Sequence, residues 1–230
     1  MTRLLKFLAA LVAIVLVGGC GGGGSSTNGI EKLSADKALA KVKADAATVK
    51  SVHVKGKIVK NGNTLGLDVH AGAGEGEGTL QVGGGTVEIK LVDGVAYLRG
   101  DEAALQSFGA SAAEVSATAD KWLKSQASGG PFESFTLFLD RDKLFQSLLD
   151  PSGTIKSGRT TTINGKKAYT LIDTSTSDGG TLYVSATGKA LPLRIAAAGT
   201  EGGTVDFLDY DAAVNVEAPA GAVDISQVGG

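Results

Sequence analysis

The chain contains two stretches in which apolar and polar residues alternate with a period of two. The first spans residues 52–99 and the second spans residues 155–210. Asn-Gly and Asp-Gly pairs, which two-residue hairpin turns require, divide these stretches. The pattern is typical of antiparallel strands with one apolar face and one face in water. We therefore expect one large antiparallel sheet, with hairpin turns at Asn61-Gly62, Asp93-Gly94 and Asn164-Gly165.

Helices are predicted before the first stretch and between the two. Ser34 is a candidate N-cap for a helix that runs to about Lys50, because apolar residues recur there at helical spacing. The alternation stops between residues 101 and 149, and Pro151 ends this middle segment. The middle segment holds five of the seven phenylalanines and the only tryptophan of the chain. We expect it to form helices over residues 103–108, 112–123 and 137–149.

The order of these elements predicts an α+β fold. An open sheet of about ten strongly twisted strands tends to curl, and its apolar concave face then needs a cover. The helices of the middle segment can provide that cover. We therefore expect a large curled antiparallel sheet, an unclosed half-barrel, covered by helices.

The N-terminus has the pattern of a secretory signal peptide. Arg3 and Lys6 precede an apolar run over residues 7–17, which is too short to cross about 30 Å of hydrocarbon as a helix. The only cysteine, Cys20, follows Val17-Gly18-Gly19, a pattern that looks like the lipobox at which bacterial lipoproteins are cleaved and acylated. An ordinary signal peptide followed by a chance cysteine is the alternative.

These features divide the chain into three parts. The second part is rich in glycine and serine and cannot bury enough surface to order itself. We expect acyl chains on Cys20 to anchor the protein at the extracytoplasmic face of the bacterial cell membrane. The predicted parts are a lipoprotein signal peptide over residues 1–19, a lipidated cysteine and tether over residues 20–33, and one domain over residues 34–230.

The charge of the mature chain argues against two classes of partner. Residues 1–19 contain two of the 22 Lys and Arg residues and none of the 24 Asp and Glu residues, so 20 basic and 24 acidic residues remain. The mature net charge of −4 is opposite to what nucleic acid or a polybasic membrane patch requires. We therefore expect no nucleic-acid partner.

Several enzyme signatures are missing from the sequence. There is no H-E-x-x-H, no G-x-S-x-G and no phosphate-binding G-x-x-x-x-G-K-[ST] motif. Acylation would also remove the thiol of Cys20 as a nucleophile. We expect no enzymatic activity and no cofactor.

Two groups of polar residues are candidates for a metal site or an acid–base site. His53 and His70, the only histidines, fall on the polar phase of neighbouring predicted strands, with Asp68 as the only nearby carboxylate. A metal pair is conceivable, but four ligands are usual, so surface histidines and no metal site are the favoured interpretation. The other group consists of Asp206, Asp209 and Asp211, around Tyr210. These carboxylates could act as an acid and base or hold calcium, but the favoured interpretation is that they lie at the solvent-exposed end of a strand.

One face of the predicted sheet is apolar, and it can be read in two ways. It can be an ordinary packed core, or it can line a cavity for hydrocarbon beneath the helices. The shortage of bulky side chains, with only 5% aromatic residues, and the predicted anchor favour the cavity. The candidate lining residues are Val52, Val54, Ile58, Leu65, Leu67, Val69, Leu80, Val87, Ile89, Leu91, Trp122, Phe135, Phe138, Phe145 and Leu148.

Several short motifs resemble those of one family. They are the lipobox and tether, V-K-S-V-H-V-K-G after the first helix, V-D-G-V-A-Y, I-N-G-K-K-A-Y, the central K-W-L, F-L-D-R-D-K-L-F-Q-S-L-L and S-A-T-G-K-A-L-P-L-R-I. In this order they look like the mycobacterial and actinobacterial lipoproteins of the LppX/LprG type, whose fold resembles that of the LolA and LolB carriers. The resemblance implies a LolA-like domain that binds an acylated lipid or glycolipid, with a membrane lipid exporter as a further candidate partner.

The leading functional hypothesis is a membrane-anchored envelope lipoprotein that binds acylated lipid or glycolipid in a hydrophobic cavity and carries or transfers it. The alternative is an envelope sensor, or a lipoprotein-binding chaperone, that uses the same fold to bind a polypeptide. A third is a surface lipoprotein with a filled core and no cargo.

Overall fold

The computed structural model describes residues 27–60, 62–175, 179–197 and 202–228. The signal peptide, Cys20 and the tether up to residue 26 lie outside these ranges and stay predictions. The last residues of the predicted tether are docked onto the domain. Asn28 hydrogen-bonds to the backbone of Ala186, and Ile30 is fully buried. The packed part of the chain therefore begins before residue 34, where the sequence analysis placed the boundary.

The described strands form one open sheet of twelve members in the order β12-β6-β5-β4-β3-β2-β1-β11-β10-β9-β8-β7. Every neighbouring pair is antiparallel except β12 and β6, which are parallel. The predicted curled sheet of an α+β fold is confirmed. The strands are β1 (Val52–Lys60), β2 (Asn63–Ala71), β3 (Gly76–Val82), β4 (Gly85–Val92), β5 (Val95–Gly100), β6 (Leu123–Gln126), β7 (Ile155–Ile163), β8 (Lys166–Asp173), β9 (Gly180–Ser185), β10 (Pro192–Ala197), β11 (Gly203–Leu208) and β12 (Val223–Asp224).

Five α-helices are described, and none of them has the length and apolar character that a membrane crossing needs. Two single 3-10 turns, Ile30–Lys32 and Ile225–Gln227, lie near the two ends of the domain. The helices are α1 (Ala35–Ala46), α2 (Glu102–Ser107), α3 (Ala112–Thr118), α4 (Glu133–Thr136) and α5 (Arg141–Leu148).

The middle segment differs from its sequence prediction in two places. The helix expected over residues 112–123 ends at Thr118, because the backbone turns at Asp120, which has a φ of 59°, and continues into strand β6. The helix expected over residues 137–149 begins at Arg141, because the carboxylate of Asp140 accepts hydrogen bonds from two backbone amides and caps α5 there. The predicted helix after Ser34 ends four residues before Lys50, at Ala46.

The predicted hairpin turns and the apolar face are present where the structure describes them. Asp93 and Gly94, like Asn164 and Gly165, have positive φ angles between 49° and 75°, as a type I′ turn requires. Val54 pairs with Val69, and Leu80 pairs with both Leu67 and Val87. The apolar residues of β1 to β4 therefore share the concave face, as the alternation predicts.

Glycines allow this face to curl tightly. A Cβ atom at Gly56 of β1 would contact the backbone of Thr204 and Val205 on β11, at 2.9 Å or less. A Cβ atom at Gly78 of β3 would meet Val69 on β2 in the same way, at 2.7 Å or less. Such approaches leave no room for a methyl group, so the curvature of the sheet depends on glycine at these positions.

We expect Gly56→Ala to lower the free energy of unfolding by about 1–3 kcal/mol, because the added methyl group overpacks a rigid backbone contact. Gly66→Ala, on β2, is the matched control. Its Cβ would meet the flexible side chain of Gln81 at 3.1 Å and no backbone atom. We expect a change below about 1 kcal/mol for it in urea denaturation. Equal losses for the two variants would contradict this account of the curvature.

Candidate functional site

The centre of the concave face is packed with the protein's own side chains. Val54, Leu80 and Ile89 are 1% exposed or less, and they belong to one continuous apolar core with residues of α1 and α5. Phe145 of α5 stacks on Phe207 of β11, with ring centroids 6.2 Å apart. At this place the structure has the packed core that the sequence analysis left as the alternative to a cavity.

An apolar cleft with a volume of about 440 Å³ lies at one end of this core. Its floor is the inner side of β5 and β6, and its walls are α2, α3, the segment that leads into α4, and the last 3-10 turn. We call it the β6 cleft. Its lining residues are Leu98, Leu105, Phe108, Ala110, Glu114, Thr118, Leu123, Pro131, Phe132, Phe135, Ile225 and Val228.

Capping interactions hold the two short helices at the cleft. Asp101 accepts hydrogen bonds from the amide of Ala104 in α2 and the amide of Thr86 in β4, and so ties the helix to the sheet. Ser111 and Glu114 form a reciprocal capping box at the start of α3. Hydrogen bonds from Ser111 hold the pKa of Glu114 below its usual value. The helices that wall the cleft are therefore fixed by local polar contacts as well as by packing.

The rim of the β6 cleft exposes hydrocarbon to water. Phe108, just after α2, is 50% exposed, and its ring meets that of Phe135 edge to face with centroids 5.7 Å apart. Covering apolar side chains of this size with another apolar surface lowers the free energy. The arrangement can accept a hydrocarbon group and lacks a charged side chain other than Glu114 among its lining residues.

A second, smaller hollow of about 130 Å³ lies toward the other end of the sheet. It is bounded by Leu39 of α1, Leu148 of α5, and Leu171 and Ile195 of the sheet. Ligand pockets usually have volumes of about 300–1,000 Å³. The β6 cleft falls within that range and the smaller hollow falls below it. Other surface hollows of similar volume have more polar linings, so the β6 cleft is the candidate site for an apolar ligand.

The structure distributes the predicted lining residues among several places. Phe135 lines the β6 cleft, and Leu148 lines the smaller hollow. Phe145 is a core residue that also borders a groove between α1 and α5. The half-buried members that pack against the core are Ile58, Leu65 and Phe138, and the buried core members are Val52, Val54, Leu67, Val69, Leu80, Val87, Ile89 and Leu91.

Trp122 was wrongly placed in the cavity. It lies on the outer face of the sheet, where the guanidinium of Arg99 is 4.9 Å and the ammonium of Lys90 is 5.9 Å from its ring centroid. The error follows from the missed strand β6. In that strand Leu123 pairs with Leu98 on the inner side, so the residue before Leu123 faces outward.

Most of the cleft residues were missed by the sequence analysis. Phe108 and Phe132 belong to the apolar middle segment, and their size was a usable signal. Ile225 and Val228 lie in the C-terminal tail. Its two-residue strand β12 pairs with β6 at the end of the sheet, and the 3-10 turn that follows β12 brings Ile225 and Val228 to the cleft. No local pattern in the tail indicates that contact.

The acidic residues near Tyr210 do not form one site. Asp206 makes a two-pronged ion pair with Arg194, at 2.6 and 2.8 Å. Asp211 accepts a hydrogen bond from the backbone amide of Lys50, and the carboxylate of Asp209 faces the ring of His53. Burial raises the pKa of Tyr210 well above its usual value. Each carboxylate thus has a separate structural partner, which agrees with the favoured interpretation of the sequence.

The start of α5, at residues 140–143, is held by several polar contacts. Asp140 caps α5, and the guanidinium of Arg141 donates a hydrogen bond to the carbonyl oxygen of Val49 while it also pairs with Asp142. The side chain of Arg141 is only 13% exposed. It therefore ties α5 to the chain between α1 and the sheet.

The two histidines come together on the outer face of the sheet. His53 and His70 stack with ring centroids 4.1 Å apart. The Nε2 atom of His53 lies 2.6 Å from Oδ1 of Asp68. Burial raises the pKa of Asp68, but hydrogen bonds and charge from Lys55 and His53 outweigh this effect and lower it. The side chain of His53 is 14% exposed, so it is not the surface histidine that the sequence analysis expected.

Comparison with known proteins identifies the fold. No protein-family model matches the chain, and no curated protein matches it in sequence. Among solved structures, LprF from Mycobacterium bovis shares 14% identity with a TM-score of 0.55, over 86% of this chain and 100% of that one. The lipoprotein LppX of Mycobacterium tuberculosis shares 15% identity with a TM-score of 0.50, over 79% of this chain and 100% of that one.

The chain has the fold of LprF and LppX. The resemblance that the short motifs indicated is therefore confirmed at the level of the fold. At these identities the likeness says nothing of which ligand the chain binds.

We expect Phe108→Asp to weaken binding of an environment-sensitive hydrophobic dye at least tenfold. Covering an aromatic ring contributes about 1.5–3 kcal/mol, and 1.4 kcal/mol corresponds to a factor of ten. Ile172→Asp, on the far strand β8, is the matched control, because Ile172 is 38% exposed and outside the cleft lining. Fluorescence titration measures both variants. A similar loss in the two would rule out the cleft as the dye site.

Proposed function

We propose that this protein is an envelope lipoprotein that binds an acyl chain of a lipid or glycolipid in the β6 cleft and carries or transfers it. The observation that carries the proposal is an apolar cleft of about 440 Å³ with a half-exposed phenylalanine at its rim. The LprF and LppX fold supports it, since LppX of Mycobacterium tuberculosis is a lipoprotein. The proposal includes lipidation of Cys20 and anchoring at the extracytoplasmic face of the cell membrane.

The size of the cleft sets how much of a lipid it can stabilise. Each buried CH₂ group contributes about 0.8 kcal/mol, so ten groups contribute roughly 8 kcal/mol. Association costs at least about 4 kcal/mol. The remaining free energy of about 4 kcal/mol corresponds to a dissociation constant of about 1 mM for one such chain. Tighter binding needs more hydrocarbon buried, either at the rim or by separation of the helices from the core.

The proposed role is binding and transfer without catalysis. The charged group among the residues of the cleft is Glu114, and its carboxylate accepts two hydrogen bonds from Ser111 within the capping box. A second proposed partner is a membrane lipid exporter that receives or supplies the lipid. The polar head group would stay at the rim in water, where it costs no desolvation.

A polypeptide ligand is the competing proposal, and it predicts a different outcome. The side of β6 that faces away from β5 already pairs with β12 of the same chain, so a peptide cannot pair with β6 without displacing the tail. Native purification followed by extraction into organic solvent separates the two proposals. A lipid carrier retains extractable acyl lipid, whereas a sensor retains a specific polypeptide and no lipid.

We expect Ala110→Trp to abolish extraction of a labelled phospholipid from vesicles by the full chain, because the indole would occupy the cleft that Ala110 lines. Ala113→Trp is the matched control, since Ala113 is an exposed residue of α3 outside the cleft lining. For the unmodified chain, two further methylene groups in the acyl chain should tighten binding about tenfold.

Mass spectrometry of co-purified lipid and the vesicle assay check these expectations together. Extraction that is equal for the two tryptophan variants would reject the β6 cleft as the site. The absence of both co-purified lipid and vesicle extraction would reject the carrier function itself.

A further inference from the structure

The outer face of the sheet gathers both histidines of the chain into one polar cluster. His53 of β1 lies directly opposite His70 of β2, and Asp68 of β2 is two residues before His70. Ligand atoms of these three residues lie within 4.8 Å of one another. We call them the His-Asp cluster. Nothing in the proposed lipid function uses these residues, because they lie on the side of the sheet away from the core.

Both ring nitrogens of His53 face carboxylate oxygens. Its Nε2 atom is 2.6 Å from Oδ1 of Asp68, and its Nδ1 atom is 3.2 Å from Oδ2 of Asp209. A neutral imidazole has one N–H donor, yet here both ring nitrogens face carboxylate oxygens. In the neutral ring, the nitrogen without a proton carries a lone pair that can bind a metal ion.

The arrangement matches the way proteins orient a metal-binding histidine. A ligating histidine usually donates its other N–H to a carboxylate, which fixes the tautomer. Asp209 is placed to accept that bond from Nδ1, which leaves the lone pair of Nε2 directed toward Asp68. The exposed ring of His70 stacks beside His53, with the planes only 13° apart. A modest rotation of His70 would direct a third ligand atom to the same point.

We propose that the His-Asp cluster binds one divalent transition-metal ion of the zinc or copper class. His53, His70 and Asp68 would be the protein ligands, and Asp209 would orient His53. Two imidazoles and one carboxylate suit these borderline ions rather than calcium or magnesium, which prefer oxygen ligands alone. Three protein ligands leave at least one position for water. The ion would join β1 and β2 near the middle of the sheet.

Lys55 sets the strength of the site. Its ammonium lies 2.5 Å from Oδ2 of Asp68, so it occupies one carboxylate oxygen and leaves Oδ1 for the ion. Its positive charge opposes a bound cation. Lys55→Met removes that charge and frees the second oxygen, so this variant should bind the metal more tightly than the unmodified protein.

The test is calorimetric titration of Zn²⁺, and separately of Cu²⁺, into the full chain carrying Cys20→Ser, which removes the only thiol. We expect one ion per chain for at least one of the two metals and none for Mg²⁺. His53→Ala and His70→Ala should each weaken binding at least tenfold, and Asp209→Asn should weaken it about 10- to 100-fold. Glu88→Gln is the matched control, because Glu88 is a carboxylate that pairs with Arg99 elsewhere on the sheet.

Nuclear magnetic resonance of the two imidazoles provides a readout that needs no substitution. Both histidine side chains should shift with one equivalent of Zn²⁺, and the effect should weaken at lower pH, because protons compete for the same nitrogens. The proposal is overturned if neither metal binds with 1:1 stoichiometry or if the imidazole signals do not respond. It is also overturned if a variant that carries both His53→Ala and His70→Ala binds metal as well as the unmodified chain. None of these outcomes bears on the lipid proposal, which concerns the opposite face.

Discussion

The apolar concave face of the twelve-stranded sheet must be removed from water, and the rest of the structure follows from how this is done. The strands supply mainly Val, Leu, Ile and Gly, so they cannot fill the hollow of a curled sheet by themselves. Helices α1 and α5 provide the missing volume, and the stacking of Phe145 on Phe207 closes the centre. Beyond β5 the shorter helices and the C-terminal tail cover only part of the apolar face. The uncovered part is the β6 cleft.

This division between a packed centre and an open end limits what the protein can bind without rearrangement. As proposed, one hydrocarbon chain would occupy the β6 cleft of about 440 Å³. A lipid with several long chains would require the helices to move away from the sheet, and each large side chain exposed in that motion costs about 1.5–3 kcal/mol. The lipid would have to repay that cost with its own buried methylene groups. Chain length is therefore the ligand property to which affinity should respond most strongly.

The sequence predicted the sheet, its turns and its apolar face because those features are local. A period of two and an Asn-Gly or Asp-Gly pair act within a few residues. Strand β6 was missed because its four residues, Leu123–Gln126, carry no alternation long enough to recognise, and it exists because Leu123 pairs with Leu98. The candidate site depends on that strand and on the distant tail, so only Phe135 of its lining was foreseen. The same missed strand put Trp122 on the wrong face.

The two faces of the sheet carry different kinds of interaction, and this separates the two proposed sites. The inner face is held by non-directional apolar contacts, which tolerate ligands of varied shape. The outer face is held by directional pairs across strands, such as Glu88 with Arg99 and Asp206 with Arg194. In that setting His53 and His70 stack beside Asp68, which also pairs with Lys55, and Asp209 faces His53. The proposed metal ion would bind this group on the outer face, on the other side of the sheet from the β6 cleft.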